Sequence, residues 1–286
     1  MDVIQSFINN HNDIIKDVHS ITPSKLGSFG CYILDGSIHY NDHHYNKGVI
    51  KQCSESEIKF YSSDICTTDI SVQPYIICKE SNTVLLEYVD TNVIGNIDYF
   101  NKMWETLNIV HSKPYSRWIP TFTTSSHSPE SYILNIGNIP ELNDIHQYIS
   151  SIIRILESVQ PYLKHINNLP KAVCHGDVHP TNSGYRNDRI ILYDWATIKF
   201  MPIELELCYP VEFLSVYTPS IKEQIDSIYQ AYMNVSGRRI DTELCHIGYI
   251  YMCLYNYIPI YMTNPNSNIR ILRQCILNLI NMSRIL

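Results

Sequence analysis

One segment constrains this chain more than any other. It reads Val173-Cys174-His175-Gly176-Asp177-Val178-His179-Pro180-Thr181-Asn182, followed by Arg189-Ile190-Ile191-Leu192-Tyr193-Asp194-Trp195. Gly176 and Pro180 forbid a regular helix, so Asp177 and Asn182 sit five residues apart in a loop. Twelve residues after Asn182, Asp194 ends an apolar run that reads as a strand. Two carboxylates and one amide oxygen can therefore converge where a loop meets a strand end. Oxygen ligands of this kind suit Mg²⁺ beside phosphate groups. A carboxylate left off the metal can orient a hydroxyl and take its proton. A zinc site on Cys174, His175 and His179 is the rival reading, disfavoured because Gly176 and Pro180 disrupt ligand spacing.

The rest of the chain reads as two unlike parts. Val3 to Val18 has helical periodicity. Lys25 to Gly36 reads as strand, glycine bend and strand, ending in the turn signal Asp35-Gly36. Gly48 to Gln52 is a further strand. Ser54-Glu55-Ser56-Glu57 offers a capping box for a short helix to about Ser63. Tyr75 to Cys78 and Thr83 to Val89 are two more strands. After Asp90 the pattern turns helical: Tyr99 to His111, a long helix from Glu141 to Leu163, and helices separated by loops beyond Pro202. The expected architecture is α+β and two-lobed. Residues 1–90 form a small antiparallel β-sheet lobe with one helix, and residues 91–286 a larger, mainly helical lobe.

Composition narrows the function classes. The 286 residues carry a net charge of −7, which argues against a nucleic-acid partner. The uncharged stretch His246 to Met262 is interrupted by Asn256 and Pro259 and is shorter than the roughly 20 apolar residues of a span, so no membrane role is expected. Nine scattered cysteines without CxxC spacing, and no signal peptide in evidence, suggest reduced thiols and a cytoplasmic protein.

His-Gly-Asp-x-x-x-x-Asn followed by a strand ending in Asp-Trp resembles the aminoglycoside phosphotransferase and choline kinase family, which has a protein-kinase-like fold. The motif parallels the kinase catalytic loop and its metal-binding Asp. The resemblance implies that Asp177 is the catalytic Asp, that Asn182 and Asp194 hold Mg²⁺, and that His175 buttresses the loop. It also implies ATP-binding parts upstream. Val49-Ile50-Lys51 matches the strand whose Lys reaches the α/β-phosphates, and Glu57 is its expected partner, with Glu55 as alternative. Only six residues separate Lys51 from Glu57, fewer than the family usually has. Gly27-Ser28-Phe29-Gly30 resembles the loop over the phosphates, with Gly27, Ser28 and Gly30 as candidates. Leu85 to Val89 resembles the hinge strand, where backbone groups of Glu87 and Val89 meet the adenine edge. His179 is expected to pack the loop, and His111 to be structural.

The implied activity is transfer of the ATP γ-phosphoryl group to a hydroxyl of a small molecule, either an aminoglycoside-like amino sugar or a choline-like amino alcohol. Only seven residues separate Asp194 from Pro202, too few for the peptide-docking segment of a protein kinase. A protein or regulatory kinase and a nucleotide-binding pseudoenzyme stand as alternatives. Candidate acceptor contacts are the carboxylates Asp144, Glu204, Glu212, Asp241 and Glu243. An aromatic cage built from Tyr249, Tyr251, Tyr255, Tyr257, Tyr261 and Trp195 is the other option, although ordinary core packing is the favoured reading of these tyrosines. Resistance and metabolic roles, and oligomeric state, are left open by the residues.

Overall fold

The computed structural model describes residues 2–24, 30–90, 97–125, 127–209, 221–263 and 265–283. Gly27, Ser28 and Glu212 lie outside them. The chain packs as two compact units, one of residues 1–120 with 173–199 and one of residues 121–172 with 200–286. The change of element type near residue 90 is thus not where packing divides, because the segment carrying Asp177 and Asp194 packs with the strands.

The first unit is built on a five-stranded antiparallel sheet of order β1-β2-β3-β5-β4. Its strands are β1 (Ile15–Pro23), β2 (Cys31–Tyr40), β3 (His43–Gln52), β4 (Pro74–Cys78) and β5 (Thr83–Glu87). One sheet face and helix α1 (Asp2–Asn10) bury Ile4, Phe7, Ile8, Leu34, Ile38, Ile50 and Leu85 in a common core. Helix α2 (Glu55–Tyr61) follows β3, and α3 (Ile97–His111) follows β5. Strand β6 (Lys171–Cys174) leads into the Asp177 loop. The hairpin β7 (Ser183–Arg186) and β8 (Arg189–Leu192) comes next.

Two sequence expectations give way here. The helix read over Val3 to Val18 ends at Asn10, and Ile15–Pro23 is a strand. Asn9, Asn10 and Asn12 are poor helix formers, and Ile15 finds its buried site opposite Ile38 in the sheet instead. Asp35-Gly36 makes no turn. Strand β2 runs through it to Tyr40, and the reversal uses Asn41 and Asp42, with φ of 48° and 63°. Gly36 is needed because β1 bulges onto it, and a Cβ there would lie 2.2 Å from the Asp17 carbonyl oxygen.

The second unit is helical. It contains α4 (Glu130–Asn135), α5 (Ile149–Val159), α6 (Leu163–Asn168), α7 (Ile203–Glu206), α8 (Ile221–Ser236), α9 (Thr242–Met252), α10 (Ile258–Met262) and α11 (Pro265–Ser283). Ile152, Leu156, Ile247, Ile250, Leu272 and Ile276 are buried in its core. The single helix expected from Glu141 to Leu163 is broken into 3₁₀ turns at residues 140–142, 146–148 and 160–162 around α5. Asn143 and Asp144 favour turns, and Pro161 has no N–H to continue the helix. Between α9 and α10 the backbone loosens to a π-helix over Cys253–Tyr257, where Pro259 cannot bond back to Tyr255. No helix among the described residues is long and apolar enough to cross a membrane.

Candidate active site

The β7–β8 hairpin assembles one side of the site. Its turn uses Asn187 and Asp188, both at positive φ. Antiparallel register places Ser183 opposite Leu192 at the open end. The next pair out is Asn182 and Tyr193, whose N–H donates to the Asn182 carbonyl at 3.1 Å. Asp194 follows at once, with φ 64° and ψ 60°. The ladder therefore brings together two residues that the sequence separates by twelve positions.

The loop before β7 is fixed by His175, which is fully buried. The Asp177 N–H lies 3.3 Å from His175 Nδ1, which accepts it, so Nε2 carries the proton and donates to the Tyr193 carbonyl at 2.9 Å. Both ring nitrogens are thereby engaged, so His175 ties the loop to the strand end and cannot serve the zinc reading. Gly176 has φ 84°, and a Cβ on it would lie 2.2 Å from the Thr197 carbonyl oxygen. Gly176→Ala is expected to lower stability by more than about 1 kcal/mol, read by thermal unfolding, because it meets both strain and backbone.

Asp177 itself is held from two sides. Asn182 Nδ2 donates to the Asp177 backbone carbonyl at 3.0 Å and to Oδ2 at 3.1 Å. His179 Nε2 stands 3.4 Å from the same Oδ2. His179, expected only to pack the loop, thus adjoins the carboxylate, and Thr181 Oγ1 bonds its Nδ1 at 2.7 Å. Burial pushes the Asp177 carboxyl up. The His179 ring and the Asn182 amide work against it, and the group is held below its ordinary range. Among the described residues no donor meets Oδ1.

The sheet supplies the cation. Lys51 Nζ donates to Glu57 Oε1 at 2.6 Å and to Asp194 Oδ1 at 2.8 Å. Lys51 and Glu57 are buried. Burial pulls Lys51 down, but the two carboxylates outweigh it and keep the ammonium charged well above the usual range. Burial raises Glu57, with Lys51 pulling the other way. Glu57 also closes the α2 capping box: Ser54 N–H donates to Oε2 at 3.2 Å, and the Glu57 N–H donates to Ser54 Oγ at 3.3 Å. One carboxylate serves both cap and lysine, which explains how a six-residue spacing suffices. Glu55 instead pairs with Lys59 on the surface.

Lys51, Asn182 and Asp194 line one pocket. Its walls are Ser24, Cys31, Ile33, Val49, Lys51, Val72, Leu86, Glu87, Tyr88, Val89, Asn182, Tyr193 and Asp194. The apolar side chains Ile33, Val49, Val72, Leu86 and Val89 share the lining with Lys51, Asn182 and Asp194. Among the described residues no acceptor meets the Val89 N–H. Gly30, at φ 44°, immediately precedes β2 and lies beside Gln52. Glu87 lines the pocket, and its carboxylate accepts from the Gln73 N–H at 3.0 Å and pairs with Arg186.

The donor set fits a hard cation. Asn182 Nδ2 is spent on Asp177, which leaves its amide oxygen, and Asp194 offers carboxylate oxygen into the same pocket. Glu57 and Asp194 together exceed the charge of Lys51 by one, so the cluster attracts a further cation.

The second unit changes the reading of its aromatics. Tyr249, Tyr251 and Tyr257 are buried, and Tyr255 stacks on Tyr251 at 4.8 Å. Trp195 is also buried, stacked on Phe60 at 4.0 Å and against His175 at 4.6 Å, so it packs the core of the first unit. Asp241 caps α9 through the N–H groups of Glu243 and Leu244, and Asp144 pairs with Arg273. Burial raises the Glu204 carboxyl.

No protein-family model matches the chain, and no curated protein matches it by sequence. Solved structures do match over nearly its whole length. The choline kinase of Streptococcus pneumoniae is 15% identical, with 97% of this chain and 98% of that one covered and a TM-score of 0.63. A spectinomycin phosphotransferase, solved with ADP and spectinomycin, is 12% identical, with 98% of both chains covered and a TM-score of 0.66. The ethanolamine kinase of Plasmodium vivax is 13% identical, with 98% of this chain and 87% of that one covered and a TM-score of 0.59. The fold is therefore the α+β, protein-kinase-like fold of these small-molecule kinases.

Proposed function

We propose that this protein is an ATP-dependent phosphotransferase that moves the γ-phosphoryl group to a hydroxyl of a small molecule. The observation that carries the reading is Lys51, held between Glu57 and Asp194, in the lining of a pocket that it shares with Asn182, Asp194 and the apolar side chains Ile33, Val49, Val72, Leu86 and Val89. In this reading residues 1–90 supply the nucleotide-binding lobe and residues 91–286 the catalytic and substrate-binding lobe. The backbone of Glu87 and Val89 meets the adenine edge, and Lys51 positions the α/β-phosphates. Gly27, Ser28 and Gly30 belong to the phosphate loop. The structural neighbours solved with ADP or AMP support a nucleotide in this pocket.

Asn182 and Asp194 would hold Mg²⁺, which when bound offsets charge on the phosphates. Asp177 orients the acceptor hydroxyl through Oδ1 and takes its proton late, since phosphoryl transfer passes through a loose transition state. Most of the rate comes from positioning and fixed charge. A small acceptor is favoured because the chain after Asp194 makes only a 3₁₀ turn at Trp195–Thr197 and a short strand at Lys199–Pro202 before α7. That leaves no peptide platform. Spectinomycin and hygromycin B, bound by two neighbours, support a small-molecule acceptor. Choline-like amino alcohols and amino sugars remain the two acceptor classes in the proposal.

Titration calorimetry tests the nucleotide half of this reading. The unaltered protein is expected to bind ATP more tightly with Mg²⁺ than with EDTA. Asp194→Ala is expected to lose at least about tenfold of that Mg²⁺-dependent gain. Equal affinity with and without Mg²⁺ in the unaltered protein would remove Asn182 and Asp194 as ligands.

A further inference from the structure

Arg186 is a basic side chain that the reading above does not use. It stands on β7, four residues after Asn182, and is largely buried. Its guanidinium spans two segments. Nη1 donates to Glu87 Oε2, and Nη2 donates to the Ser71 carbonyl at 3.3 Å. Glu87 Oε2 also accepts the Gln73 N–H at 3.0 Å, and the Glu87 N–H donates to the Gln73 carbonyl at 2.8 Å. The neighbouring Tyr185 N–H donates to the Asp90 carbonyl at 3.1 Å. So the pocket-lining stretch from Glu87 to Val89 is pinned at both ends to β7. That strand also begins one residue after a candidate metal ligand.

A planar fork suits this place. Guanidinium offers two donors in fixed directions, so it bonds the Glu87 carboxylate and the Ser71 carbonyl together, which a lysine ammonium does less well. The Glu87 carboxylate is occupied by Arg186 and the Gln73 N–H, while Glu87 itself lines the pocket. The spacing of the backbone groups at residues 87 and 89 then depends on a bond between residues 99 positions apart.

We propose that Arg186 is a positioning residue for nucleobase recognition: through Glu87 and Ser71 it holds the hinge backbone at the spacing an adenine edge requires. The inference rests on the nucleotide reading of the pocket and goes beyond it. It separates two parts of one ligand, since Arg186 governs the base while Lys51 governs the phosphates.

The test compares MgATP with magnesium tripolyphosphate, which carries the phosphates and no base. Affinities are measured on the full chain, with thermal unfolding as the folding control. Arg186→Met is expected to weaken MgATP by about tenfold while tripolyphosphate stays within about twofold. Arg186→Lys, which keeps charge but not the fork, is expected to fall between. Glu87→Gln, which is nearly isosteric, is expected to show the same base-specific loss, and the double variant to be no worse than Arg186→Met alone. Unchanged MgATP affinity in both single variants would overturn the inference. So would parallel loss of both ligands in the folded variants. If the unaltered protein binds no MgATP, the pocket reading itself falls, and the inference falls with it. That result is distinct from binding that ignores Arg186.

Discussion

Asp177→Asn is expected to leave MgATP affinity within about twofold of the unaltered protein and to cut turnover by about a thousandfold. The separation follows from placement. Asp177 is not among the pocket-lining residues, and its carboxylate is held by Asn182, whose side chain reaches it from the pocket wall, and by His179, which does not line the pocket. An amide oxygen can keep the 3.1 Å bond from Asn182, so the loop is preserved. What is lost is the anionic Oδ1 that draws and orients the acceptor proton. The unaltered protein should also retain acid tolerance in turnover. Because His179 and Asn182 help hold the carboxyl below its ordinary range, the charged form is present at neutral pH and lost only as pH falls through that lowered value. Steady-state turnover alongside calorimetric binding checks both statements. Loss of binding in parallel with turnover would mean that Asp177 shapes the nucleotide pocket instead.

Lys51→Met is expected to be the most destabilising single change at the site. It removes the only cation bonded to Glu57 among the described residues, and Glu57 is buried. Stranding a buried carboxylate in this way costs about 3–5 kcal/mol. The loss should spread to α2, because the same carboxylate caps that helix. Lys51→Met with Glu57→Gln should recover part of the stability, since an amide keeps the size and a hydrogen-bonding oxygen without the stranded charge. It should recover none of the nucleotide affinity, because the ammonium for the phosphates is still missing. Denaturant unfolding reads the first quantity and MgATP titration the second. Equal stability of Lys51→Met and the unaltered protein would show that the pair contributes nothing to the fold.

Much of the site was legible because its residues are local. Asp177 and Asn182 share one loop that Gly176 and Pro180 keep out of helix, and Asp194 ends an apolar run visible as a strand. Glu57 was legible twice, as a capping residue and as a partner for Lys51. These looked like alternatives, and the two carboxylate oxygens allow both at once. The β-rich start and helical remainder were also readable. What escaped depended on distant partners. Ile15 could complete a helix or face Ile38, and only the sheet decides. The tyrosines of α9 and the following π-helix could be read as cage or core, with core the favoured reading, and Tyr249, Tyr251 and Tyr257 are buried. Trp195 beside Asp194 likewise packs on Phe60. His179 gave one faint signal, two residues from Asp177. Arg186 gave none, since nothing near it in sequence announces Glu87.

The central claim is phosphoryl transfer from ATP to a small hydroxyl compound through Asp177. The direct measurement is transfer of label from [γ-³²P]ATP across a panel of amino sugars, choline-like amines, sugars and hydroxy amino acids. The unaltered protein and Asp177→Asn are run side by side. The account predicts a labelled phosphoester of at least one panel member with the unaltered protein, and none above background with Asp177→Asn. Label that appears only on protein, or a phosphoester formed equally by both proteins, would contradict it.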